Sequence, residues 1–183
     1  MSAEALWYLS RATGLVSFLL LSLVVVLGVT IARRGRLPGL PRFAGVGLHR
    51  NAALFTVVLL VIHIVTAVLD PYVAIGWLAT VVPFTSHYEP IWLGLGALAI
   101  DLTAAVVVTS LLRFRLGLRL WRAVHWLAYA AWPVAAVHGI GAAADLQSGV
   151  LLDVVLAMIT GVVVAVAWRF GLAPAPKPSA ATS

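Results

Sequence analysis

Residues 119–141, RLWRAVHWLAYAAWPVAAVHGIG, decide how this chain is read. The run is apolar and rich in aromatics, yet it places His125 and His138 inside what reads as a membrane helix. Charged side chains at the centre of a membrane helix cost roughly 2.5–3.5 kcal/mol on insertion scales, so an ionisable residue there is a functional candidate by default. A second stretch, LHRNAALFTVVLLVIHIV at 48–65, repeats the arrangement with His49 and His63.

The rest of the composition agrees with a membrane setting. The 183 residues are 63% hydrophobic and 10% charged, with a mean hydropathy of +1.08. Soluble domains are roughly 45–50% apolar and about 25% charged, which excludes an ordinary soluble fold. Cysteine is absent, and with it disulfides, thiolate metal sites, iron–sulfur clusters and covalent haem attachment. The opening MSAEALWYLS lacks the basic region and cleavage site of a secretory signal, so the first apolar run is expected to be retained.

Five spans are predicted, at about 12–32, 49–69, 91–112, 120–142 and 149–168. Unpaired backbone groups are intolerable in lipid, and the apolar runs are too continuous for a barrel's alternation, so the spans are expected to be α-helices. Arginine placement sets the orientation. Arg33, Arg34, Arg36, Arg42 and Arg50 fall in one connection, Arg113, Arg115, Arg119 and Arg122 in another, and Arg169 and Lys177 at the end; the opposite side has only Arg11. The N-terminus is therefore expected outside and the C-terminus in the cytoplasm. The net charge of +6 follows from these flanking clusters and does not point to nucleic acid. Trp7, Tyr8, Tyr72, Trp77, Tyr88 and Trp92 read as an outer aromatic belt, and Trp121 and Trp168 as an inner one. Within the outer connection at 70–90, VAIGWLATVV is expected to lie as a short interfacial helix, and residues 172–183 as a disordered cytoplasmic tail.

This topology sends the second and fourth spans in the same direction. His49 and His63 are 14 residues apart and His125 and His138 are 13 apart, about 21 and 19.5 Å along a helix. The histidines therefore match in depth as two pairs, His49 with His125 on the inner side and His63 with His138 on the outer. Two imidazoles facing across a gap between bundle helices can supply both axial ligands of a haem iron. Gly45, Gly47, Gly139 and Gly141 leave room beside the histidines, and Phe55, Trp126, Tyr129 and Trp132 are available to pack on a macrocycle. Arg42, Arg50, Arg119 and Arg122 are candidates for the inner propionates and Arg11 for the outer ones. An ideal helix separates His125 and His138 by about 140° around its axis, so the fourth span is expected to kink, with Pro133 the predicted place.

His49-x13-His63 with His125-x12-His138, together with LSRATGLVSF and LHRN, resembles the ferric reductase-like transmembrane domain superfamily, in particular its small bacterial branch. That superfamily includes ferric-chelate reductases, NADPH oxidases and the haem subunit of the methionine sulfoxide reductase system. The resemblance implies an all-α bundle of five transmembrane helices, a haem domain over 1–171, and two non-covalent b-type haems stacked between helices two and four. It also implies electron transfer across a plasma or inner membrane, as an oxidoreductase or its haem subunit. Larger members carry a cytoplasmic flavin and nicotinamide domain, and no GxGxxG fingerprint occurs here. Electrons are therefore expected from a separate reductase or flavoprotein partner, or from a quinol. The alternative drawn from the residues is a histidine-lined metal-ion permease, to which loop His87 and the intramembrane Asp101 lend slight support; His87 with Glu89 is a candidate for a metal or a terminal acceptor, and Asp101 for a proton relay or a bond to a haem-site group. Asp70, Asp145 and Asp153 are expected at water-facing helix ends.

Overall fold

In the computed structural model, residues 2–33, 41–143 and 148–171 are described. Every regular element among them is helical, and four helices are long and apolar enough to cross a membrane. The chain is a multi-pass membrane protein whose outer surface is in contact with lipid.

Helix α1, Ala3–Ala32, begins well before the expected start at 12. Ser2 caps it by accepting from the Ala5 amide at 3.2 Å, Glu4 favours the positive helix end, and no glycine or proline interrupts the run that follows until Gly14. Arg11 thus lies inside a helix and not in a flanking segment. Helix α2, Arg42–Leu69, likewise extends the expected span backwards to Pro41, which precedes its first turn. A short 3-10 turn at Trp77–Thr80 stands where a longer interfacial helix was expected. Helix α3, Pro90–Leu111, opens with proline at its first position.

The fourth span is divided. A single turn, α4 at Arg113–Leu116, is followed by Gly117 at φ 78°, which reverses the chain into α5, Leu118–His125. Helix α6 covers Ala128–Ala142 and runs through Pro133. The break is at 126–127, not at the proline. Trp126 and Leu127 have φ/ψ of −64/−23° and −61/−19°, and amides bond three residues back at Leu127→Val124, Tyr129→Trp126 and Ala130→Leu127. These are 3-10 values. Pro133 denies a donor to the Tyr129 carbonyl one turn earlier, but the helix continues through it. Each residue at the tighter pitch advances about 20° further, so three or four recover roughly 60–80° of the 140° mismatch. Helix α7, Gly149–Arg169, completes the order.

α1 is the central element. It packs on α2, α6 and α7, whereas α3 packs on α6 and α5. The apolar core joins Val25 and Phe18 of α1, Trp132 of α6 and Val162 of α7, with Val155 and Ala143 closing the outer end. Trp132 donates its indole N–H to Ser22 Oγ at 2.8 Å and stacks on Phe18 at 5.9 Å between centroids. α2, by contrast, has extensive contact with α1 alone.

Candidate functional site: four anchored histidines

Each of the four expected histidines has its Nδ1 held by a neighbouring helix. His63 Nδ1 donates to the Ser10 carbonyl at 2.8 Å, His49 Nδ1 to the Val24 carbonyl at 3.0 Å, and His138 Nδ1 to the Trp92 carbonyl at 2.8 Å. A carbonyl only accepts, so in these three the proton is on Nδ1 and the neutral ring leaves Nε2 as a lone-pair donor. His125 Nδ1 lies 3.4 Å from Ser110 Oγ. That hydroxyl gives its one proton to the Val106 carbonyl at 2.6 Å and accepts from Trp121 Nε1 at 3.2 Å. It has only an acceptor position left for His125, which fixes the same tautomer there. Among the described residues no Nε2 of the four has a hydrogen-bond partner. Holding the second ring nitrogen in this way is how proteins orient a metal-binding imidazole.

Three of the seats share one construction that the sequence reading did not find. A β-carbon at Gly14 would lie 2.9 Å from the His63 ring, one at Gly28 would lie 3.2 Å from His49, and one at Gly96 would lie 2.7 Å from His138. In each case the glycine is four residues after the carbonyl that anchors the ring: Ser10 and Gly14, Val24 and Gly28, Trp92 and Gly96. A helix carbonyl already accepts from the amide at i+4, and a glycine there exposes its second lone pair to a side chain from outside. Gly14 and Gly28 are 14 apart on α1, the same spacing as His49 and His63 on the antiparallel α2. The trace of the seats in the sequence is this matching spacing, on the partner helix and not beside the histidines, and it acquires a meaning only once the two helices are known to be neighbours.

The outer pair meets. The rings of His63 and His138 lie 6.4 Å apart between centroids at an interplanar angle of 68°. Both line a cavity of about 730 Å³ walled by α1, α2, α3 and α6. Arg11 lines it too, stands within electrostatic reach of both rings, and donates to the Ala142 carbonyl at 3.2 Å. Ser17, 1% exposed, adds a hydroxyl on the same wall with no partner among the described residues. Of the inner pair, His49 stands within electrostatic reach of His125, and both are half-buried.

The other residues singled out in the sequence fall as follows. Asp70 is not water-facing: it is 4% exposed, accepts from the Tyr72 amide at 3.0 Å and lines the cavity. Trp126 and Tyr129 pack on Phe170, just past the end of α7, Trp132 packs on α1, and Phe55 is exposed; none of the four lines the cavity. Gly139 and Gly141 both line the cavity, and Gly141 also accommodates the Trp92 ring. Arg50, Arg119 and Arg122 are exposed, and so are His87, Glu89 and Asp153; Asp101 is half-buried. No three His, Asp or Glu side chains converge among the described residues. Asp145, Lys177, Arg34, Arg36, the side chain of Arg42 and the tail at 172–183 lie outside the described residues.

No curated protein and no solved structure matches the chain. A family model does, over residues 13–136, two thirds of the chain and a segment that runs from the foot of the His63 seat almost to His138. The chain belongs to the family of the ferric reductase like transmembrane component.

Proposed function

We propose that this protein carries electrons between the two faces of a plasma or inner membrane through two non-covalent b-type haems. His49 and His125 would hold the inner one and His63 and His138 the outer one. The observation that carries this reading is the outer pair. The rings of His63 and His138, one from α2 and one from α6, lie 6.4 Å apart between centroids, so both would be at hand to hold one haem iron. Among the described residues neither ring has a partner at Nε2, and the cavity beside them falls in the range of roughly 300–1,000 Å³ that enclosed ligands occupy. A haem held by two histidines supplies one-electron transfer with no vacant position for substrate.

The protein's own residues have the remaining roles. Carbonyls of Ser10, Val24 and Trp92 fix the ring tautomers, and the glycines four residues later admit the rings. Arg11 places one cation beside the outer pair, suited to a propionate, and Arg50 and Arg122 would serve the inner one. α5 and α6 together make the fourth of five crossings, because α6 alone has 15 residues, about 22 Å of rise against a core of about 30 Å. The orientation is N-terminus outside, with the haem domain extending over 1–171 and the tail in the cytoplasm. The donor is a separate reductase, flavoprotein or quinol. The permease alternative has no observation of its own in its favour.

The test is an absorption spectrum of the purified protein with haem quantified per chain. Reducible Soret and α bands at two haems per chain are expected, and His63→Ala removes the outer haem and leaves the inner. A fully folded preparation without these bands overturns the proposal, and one haem per chain overturns the pairing.

A further inference from the structure

The construction that repeats on α1 occurs only once on α3. Fourteen residues after Gly96, where α1 has its second glycine, α3 has Ser110. Ser110 stands four residues after Val106, the position at which Gly14, Gly28 and Gly96 stand relative to their carbonyls. Its hydroxyl occupies the carbonyl lone pair that the histidine takes directly in the other three seats, bonding Val106 O at 2.6 Å. His125 then reaches only the hydroxyl, at 3.4 Å, against 2.8–3.0 Å to carbonyls for the others.

We infer that Ser110 is a positioning residue that holds His125 through a hydroxyl relay and thereby makes the inner site electronically unequal to the outer one. The physical cause is the strength of the acceptor facing Nδ1–H. A strong acceptor makes the imidazole a more basic ligand and stabilises the oxidised metal, and a weak one does the reverse. The serine oxygen is shared between Trp121 Nε1 and His125, and its distance to His125 is at the limit of a hydrogen bond. Trp121 also packs against the His125 ring at 5.1 Å between centroids, so ring orientation and acceptor strength are set by the same pair of residues.

The inference rests on the haem reading, and one residue tests it in two directions. Ser110→Gly rebuilds the seat of the other three histidines: Val106 O is freed, His125 Nδ1 bonds it directly, and the potential of the inner centre falls. Ser110→Ala removes the hydroxyl while its β-carbon still shields the carbonyl, so the inner potential rises. Ser110→Thr keeps the hydroxyl and returns the wild-type value. The readout is an equilibrium redox titration of the α band on protein in lipid, with the inner wave identified as the one lost in His125→Ala. Shifts of the same sign in the glycine and alanine variants overturn the inference, as do equal shifts in both waves or failure of the threonine to rescue.

Solid-state ¹⁵N spectra of histidine-labelled protein give a second readout that needs no haem. The wild type is expected to hold His125 in the Nδ1–H tautomer, and Ser110→Ala to populate both tautomers. An unchanged tautomer in Ser110→Ala overturns the relay even if no haem binds, whereas an absent haem spectrum alone overturns only the function proposed above.

Discussion

A β-carbon at Gly96 would stand 2.7 Å from Cε1 of His138, and one at Gly28 would stand 3.2 Å from Cε1 of His49. The difference is half an ångström, and it separates two outcomes. At 2.7 Å the ring has to leave, because its Nδ1 is already held at 2.8 Å by the Trp92 carbonyl of the same helix. At 3.2 Å a few tenths of an ångström of adjustment suffice. Gly96→Ala is therefore expected to lose the outer haem and keep the inner, while Gly28→Ala keeps both with a displaced inner potential. Haem per chain and the redox titration check the two. Equal haem loss in both variants would contradict the seat geometry. Residue by residue, the four histidines were legible because they are costly in lipid, and their seats were not. A glycine in a membrane helix is ordinary packing until the side chain that uses it is known.

Between helices, the joint at Trp132 ties α6 to α1. Its indole N–H reaches Ser22 Oγ, and Ser22 is wholly buried while itself bonded to the Phe18 carbonyl at 2.8 Å. Trp132→Phe keeps the stacking on Phe18 and loses that bond. Hydrogen bonds between membrane helices average about 0.6 kcal/mol and reach about 1.7, and this one is expected in the upper half of that range. Thermal or denaturant unfolding in detergent measures it, and a variant as stable as the wild type would remove Ser22 from the account. The extents of α1 and α2 went beyond the sequence reading because hydropathy marks only the apolar part of a helix. The Ser2 cap and the uninterrupted run behind it carry the helix further. The break at 126–127 had no signal of its own. No glycine or proline occupies either position, and the tightening there changes the angle around the axis between His125 and His138.

Across the molecule, charge is divided by side. Glu4, Asp70 and Glu89 lie at the end that the arginines assign to the exterior, with Arg11 the one basic residue described there and Asp153 on the first turns of α7, and Arg33, Arg50, Arg113, Arg115, Arg119, Arg122 and Arg169 lie at the other. A fluorescent-protein fusion at the C-terminus is expected to glow and an alkaline phosphatase fusion there to be inactive, with the reverse for both in the 70–90 connection. The opposite pattern would invert the assignment of inner and outer haem without altering either site. The helical membrane class and the matched depths of the histidines were open to sequence reasoning because both depend on spacing along single helices. The cavity, the buried Asp70 and the placing of Arg11 depend on which helices are neighbours, and spacing does not say that.

α2 leans on α1 and on little else. A helix supported along one side can shift without disturbing the core formed by α1, α6 and α7. His63 stands on that helix and His138 on α6, so the outer histidine pair spans the least braced seam of the bundle. Under the function proposed above, a group held by both rings would therefore also be the brace that fixes α2 in place.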